Sequence, residues 1–253
     1  DLPEPELSYD ATDLYFELGS NESSSDSFTI SNTGEQDSEL SYTINSSPFE
    51  TAGGGPDAGD YFWTSSDIDE GANYLWVDIS DENDLVYFLN NDDSSGPFDI
   101  DFEFPFYGNN YNQLNINPNG WLGFDMDSDE WDNTEIPSSN VQGPAIFALW
   151  DDLNPENENC NEFCSGNVYY HTNSERTVIW FNEVAHWWTN FEDSYYDFQI
   201  VLYPNGDINV NYKTLTGIHD ATIGIQNASG MDGIQVSSGS GFASDNKSLL
   251  FSR

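Results

Sequence analysis

The sequence predicts an all-β protein built as an antiparallel β-sandwich. Three observations carry that expectation. Aromatic residues make up 15% of the 253-residue chain, as 17 Phe, 14 Tyr and 8 Trp, and they recur in short runs that alternate with polar residues, the period of a half-buried strand. Turn signals such as Asn119-Gly120 and Pro204-Asn205-Gly206-Asp207 separate the runs. Long Lys/Glu/Ala stretches that would favour helices are missing.

Charge sets the environment. Forty-six acidic residues face four basic ones, Arg176, Lys213, Lys247 and Arg253, for a net charge of −42. Such a chain repels itself and resists compaction. In a medium near seawater ionic strength the screening length falls to roughly 4 Å and relieves the repulsion, so an extracellular, cation-rich setting is expected. Nucleic acid and anionic membrane would both be repelled. No run of 18 apolar residues crosses a membrane, and neither nucleic-acid binding nor direct membrane insertion is expected. Disorder, the usual fate of acidic chains, is opposed by a hydrophobic content of 37%. The opening Asp1-Leu2-Pro3-Glu4-Pro5 reads as a processed mature terminus.

Taken in order, residues 1–9 form an extended arm, because Pro3 and Pro5 forbid helix and suit an edge or free strand. Residues 10–52 read as short strands at 14–18, 27–30 and 40–44, the last two separated by the turn Ser31-Asn32-Thr33-Gly34. Gly53-Gly54-Gly55-Pro56-Asp57 reads as a linker. The remainder, 56–253, starts with aromatic strands at 74–79 and 85–89. From Phe102 the pattern sharpens into Phe104-Pro105-Phe106-Tyr107-Gly108 and then a strand, an Asn119-Gly120 turn and a second strand across 114–124. Strands follow at 146–153 and 166–170, then a long pair at 176–184 and 196–203. The turn at 204–207 leads into 208–212, and shorter strands at 221–226, 233–236 and 249–251 close the chain.

The segments 13–16, 28–34 and 40–42 resemble the first half of an immunoglobulin-like module of the abnormal-spindle/hydin type. Such modules run to about 100 residues, and the second half does not follow, so either these strands pack on the next domain or their sheet is completed by something else. The ordered pieces "FPFYG", "NPNGWLGF", "ALWDDL", "GNVYY", "VIWFNEV" and "DFQIVLYPNGDINVNY", over roughly 100–226, resemble a nidogen-like module. That resemblance implies an antiparallel β-sandwich with an adhesive or matrix role, and it brings no catalytic residues.

Candidate sites come next. Asp125-Met126-Asp127-Ser128-Asp129-Glu130 has the oxygen spacing that opens a calcium loop, but an EF-hand needs Gly at the sixth position and Glu at the twelfth. Those positions hold Glu130 and Ile136, so only a looser calcium site through Asp125, Asp127 and Asp129 remains, against a solvated acidic face. Asp151-Asp152 after an apolar run is a second calcium candidate, against turn capping. Asn90-Asn91-Asp92-Asp93 and residues 67–70 rank below these. Cys160 and Cys164 would close a small disulfide ring in an extracellular chain; zinc is the alternative and needs two further ligands, with only His171, His186 and His219 to draw on. Trp187 and Trp188 could stack on a sugar or pack in a core. Sequons at Asn21, Asn45, Asn227 and Asn246 allow glycosylation.

No nucleophile elbow, zinc helix, phosphate loop or dinucleotide fingerprint occurs. The scarcity of His, Lys and Arg leaves little acid–base machinery, so no enzyme is expected and a secreted hydrolase ranks last. The leading expectation is a homopolymeric surface filament or matrix subunit, in which the arm's Leu2, Leu7 and Tyr9 enter a neighbour's sheet. The alternative is a calcium-assisted carbohydrate-binding adhesin, with surface glycans as partners.

Overall fold

In the computed structural model, residues 3–9, 29–40, 53–68, 71–160, 162–187, 194–217 and 220–253 are described. Among these all regular structure is β-strand. The chain divides into two compact units, Asp1–Phe49 and Glu50–Arg253.

In the first unit, β1 (Leu7–Tyr9) pairs antiparallel with β2 (Ile30–Asn32). The turn read at 31–34 fastens the arm: Asn32 Oδ1 accepts from the amide N–H of Glu6 at 3.0 Å, and Thr33 N–H donates to Glu6 O at 2.8 Å. The arm expected to be free is therefore paired in its own unit, with the Leu7 side chain exposed. Leu2, the strand expected at 14–18, residues 41–44 of the strand expected at 40–44 and the first half of that at 27–30 lie outside the described residues.

The second unit carries β3 (Gly53–Gly54), β4 (Phe62–Ser65), β5 (Asp84–Leu85), β6 (Ser95–Phe106), β7 (Asn109–Asn117), β8 (Trp121–Gly123), β9 (Ala145–Trp150), β10 (Asn167–Thr172), β11 (Thr177–Val184), β12 (Tyr195–Leu202), β13 (Ile208–Thr216), β14 (Thr222–Gln226), β15 (Gly233–Ser238) and β16 (Lys247–Ser252). An eight-stranded sheet runs β3-β4-β16-β13-β12-β11-β10-β5, and a six-stranded sheet runs β15-β14-β9-β8-β7-β6. Both are antiparallel and they stack as a sandwich. Phe104, Leu122, Ile146 and Leu149 from one sheet share a single buried core with Phe181, Phe198, Ile200 and Tyr212 from the other. Hydrogen bonds span the gap: Tyr212 Oη donates to Ala148 O at 2.6 Å, Tyr61 Oη to Pro105 O at 3.3 Å, and Tyr170 Oη to Asp99 O. A buried phenol left without an acceptor would cost about 1–3 kcal/mol, so these bonds fix how the sheets face each other.

Each sheet also buries apolar side chains on its outer face. Trp121, Phe147 and Trp150 pack with Ile136 and Val141 of the 126–143 loop outside the six-stranded sheet. Val178 and Val201 pack with Ile79 outside the eight-stranded one. This explains why β9, Ala-Ile-Phe-Ala-Leu-Trp, is a continuous apolar run without alternation: all six residues are buried.

Two expectations change. Residues 74–79 form no ladder, although their composition suits a strand. They lie across the sheet face, held by buried side-chain amides. Gln199 accepts from Val77 N–H at 3.1 Å and donates to Val77 O at 2.6 Å, while Asn211 donates to Leu75 O at 3.0 Å. The glycine run read as a linker begins as an edge strand, because Gly53 and Gly54 lie flat against Trp63; a Cβ at Gly54 would stand 2.7 Å from Trp63 Nε1.

Candidate functional site

A strand, a turn and two loops build a shelf at the end of β9. Gly120 O accepts from both Ala148 N–H (3.2 Å) and Leu149 N–H (3.1 Å), so two residues of β9 oppose one acceptor, the signature of a β-bulge. Past the bulge the chain turns, and Asp151 and Asp152 follow. The Asn117–Gly120 turn seats them: Asn119 O accepts from Asp151 N–H at 3.3 Å, and Asn119 Oδ1 accepts from Leu153 N–H at 2.9 Å. The buried Asn117 amide donates to Asp92 O, Ser94 Oγ and Ser128 O at 2.9–3.1 Å. It thereby pins the loops at 90–94 and 126–132 to the same shelf. On the opposite side Leu153 bridges to His186, and Asp152 O accepts from Trp187 N–H at 2.8 Å.

The result is a cavity of about 390 Å³ lined by Asn91, Asp92, Trp131, Asp152 and Trp187. Asp151 Oδ1 is satisfied by His186 Nε2 at 3.1 Å and by Asp152 N–H at 2.9 Å. Among the described residues no group donates to Asp151 Oδ2 or to Asp152 Oδ1, and both atoms are buried. Burial pushes the Asp152 carboxyl up to about 7; His186 opposes the shift, while Asp92, Asp151 and Asp132 add to it. Burial likewise raises Asp92, against the Asn119 amide that favours its charged form and with Asp93 and Asp129 adding repulsion. A larger cavity of about 490 Å³, lined by Asn73, Leu75, Tyr203, Pro204, Asn205, Asp207, Asn209 and Leu250, includes none of these buried unpaired carboxylates.

Asp152 yields a pH prediction. Its folded-state value is raised, so its contribution to stability is complete below the ordinary carboxylate value of about 4 and is lost as pH rises through about 7. Asp152→Asn is expected to flatten the fall in stability between about pH 4 and pH 8. Urea midpoints across that range for the two proteins check it; parallel curves would contradict the assignment.

The other sequence candidates are dispersed. Asp125, Asp127 and Asp129 are exposed on the loop after β8. Among the described residues no three His, Cys, Asp or Glu side chains converge as a metal ion requires. Asp67 pairs with Lys247 at 2.6 Å. Cys160 and Cys164 are disulfide-bonded with Cα atoms 5.7 Å apart. Asn227 is half-buried in a turn, where its Oδ1 accepts from Ser229 N–H at 3.1 Å, and Asn246 is exposed. Asn21, Asn45 and Trp188 lie outside the described residues. Of the aromatic pair, Trp187 joins the cavity. Its partner there, Trp131, was not among the expected site residues. The signal was present in Asp129-Glu130-Trp131-Asp132, a large aromatic set among carboxylates where no core pattern calls for one.

A family model described as NIDO related matches residues 70–248, well over half of the chain. The chain belongs to the nidogen-related family. No curated protein and no solved structure matches it. The matched span covers all of the sandwich from β5 to β14, together with β15 and the start of β16, so the cavity is a feature of the nidogen-related domain and not of the N-terminal unit. Nidogen-related modules are typically extracellular and generally non-enzymatic, and among the described residues no helix is long and apolar enough to cross a membrane.

Proposed function

We propose that this chain is an extracellular, non-enzymatic recognition module of a matrix or cell surface, and that its ligand enters the cavity at the end of β9. One observation carries the reading: a buried carboxylate oxygen, Asp152 Oδ1, stands without a donor among the described residues, on an aspartate that lines a cavity walled by two tryptophans. A buried acceptor without a donor costs about 1–3 kcal/mol, and folds keep such a cost where a ligand repays it. The test is retention of the intact chain on a matrix-coated surface. Trp187→Ala is expected to abolish retention while leaving the thermal midpoint within a few degrees of wild type; undiminished retention would contradict the reading.

A building-block role has one specific observation in its favour. β15 is an edge strand in the six-stranded sheet, within a stretch, 233–244, that carries no charge in a chain of 46 acidic residues. Exposed edges without charged gatekeepers invite another strand, and repulsion between copies is least there. An open polymer would follow if this edge receives a strand of the next copy. Negative-stain microscopy in high salt, with and without a calcium chelator, tests it; dispersed particles throughout would reject it.

A further inference from the structure

We propose that the cavity lined by Asp92, Trp131, Asp152 and Trp187 binds an organic ammonium group, a lysine side chain or an equivalent alkylammonium. The inference rests on the recognition reading above and names its ligand class.

The chain already shows what it does with ammonium groups. Lys213 Nζ sits 4.9 Å from the Trp76 ring centroid and 5.8 Å from that of Trp180, and 2.9 Å from Asp197 Oδ2. Asp197 is buried, and its other oxygen accepts from Trp180 Nε1 at 2.6 Å. Two indoles and one buried aspartate thus hold a lysine. Lys247 is held alike, 3.8 Å from the Phe242 ring centroid and 2.6 Å from Asp67 Oδ2. The cavity at the end of β9 repeats the first set with Trp131, Trp187 and a buried aspartate. Asp152 is 9% exposed and lines the cavity, and its Oδ1 accepts no protein hydrogen bond.

The chain cannot fill this box itself. Its four basic side chains are placed elsewhere: Arg176 beside Glu175 at 3.8 Å, Lys213 and Lys247 as above, and Arg253 over the Tyr61 ring at 5.3 Å. A cation from outside can therefore enter between the two indoles beside Asp152. Indole faces attract organic cations through the ring quadrupole, whereas calcium wants six to eight oxygen ligands, and no three acidic or histidine side chains among the described residues gather to start such a set. A net charge of −42 draws cationic partners toward the surface and raises their local concentration.

The experiment uses the full chain at about pH 8, with tryptophan fluorescence and calorimetry following n-butylammonium, tetramethylammonium, Nα-acetyl-lysine amide, a lysine-containing peptide, neutral n-pentanol and calcium chloride. Saturable binding of the ammonium ligands is expected, weakened at least tenfold in Asp152→Asn and in Trp131→Ala. Trp131 is half-exposed, so its removal leaves folding intact and keeps the test valid should Asp152→Asn alter stability. Binding is also expected to weaken as pH falls from about 8 to 5, since Asp152 takes up a proton while Asp92, Asp151, Asp132 and His186 surround it. A peptide that binds at least tenfold more tightly than butylammonium marks a protein-borne lysine as the source; equal binding marks a free amine. Absence of saturable amine binding, equal binding of pentanol, or binding of calcium alone would overturn the inference. Loss of surface retention in Trp187→Ala without any amine binding would reject the ammonium and leave the recognition reading standing. Retention indifferent to Trp187→Ala would reject the recognition reading itself.

Discussion

Phe198→Ala is expected to lower the unfolding free energy by about 3–5 kcal/mol, the range for emptying a fully buried phenylalanine site. Phe198 lies on β12, which is paired on one side with β11 and on the other with β13. Its ring stacks on Phe181 at 4.6 Å between centroids and 6° between planes, and stands 6.4 Å from Tyr212. The backbone around it is held by ladders on both flanks, so the surrounding sheet cannot collapse into the void, and the cavity term adds to the lost transfer energy. A domain's whole stability is about 5–15 kcal/mol, so the variant sits near the edge of folding. Urea denaturation measures it, and a loss below about 1 kcal/mol would show that the two sheets do not meet here.

Gly120→Ala is the second large effect, and it reaches the cavity. Gly120 has φ +83°, and a Cβ there would stand 2.1 Å from Leu149 O and 2.8 Å from its carbonyl carbon. The obstacle is backbone in the β-bulge, with no flexible side chain to swing aside. Either the Asn117–Gly120 turn or the bulge must shift. Left-handed strain and displacement together should cost about 2–4 kcal/mol. Because that turn seats Asp151 and Leu153, the same change is expected to erase the Asp152-dependent fall in stability with pH. Retention of that pH signature in a destabilised Gly120→Ala protein would separate turn from site and refute the coupling.

Several elements were legible because local chemistry decided them. Asn119-Gly120 between apolar runs reads as a strand–turn–strand, and Gly120 does take the left-handed conformation such a turn needs. The long antiparallel pair at 176–184 and 196–203 appears as β11 and β12. Residues 74–79 misled because extended backbone was read correctly but its partners were not: Gln199 and Asn211 sit more than 120 positions away. No local pattern announces that a buried amide will serve as a ladder. The site was half visible. Asp151-Asp152 stood out at the end of an apolar run, but the run's own bulge, which turns the chain onto the shelf, has no signature in six apolar letters. Asp92 and Trp131 come from loops that the buried Asn117 amide and the Ser94–Ser128 bonds draw together, and a central asparagine reads in sequence as nothing more than a polar strand position.

The disposition of the four basic residues also governs how the chain meets proteases. Lys213 and Lys247 lie within β13 and β16, where the backbone is ladder-bonded and cannot enter a protease cleft. Arg176 sits in the turn between β10 and β11, and Arg253 follows β16. Trypsin-like enzymes, which cut only after lysine and arginine, therefore find two of their four target residues locked inside strands. Scarcity of positive charge, the property that opposes compaction at low ionic strength, leaves few cleavage points for trypsin-like proteases.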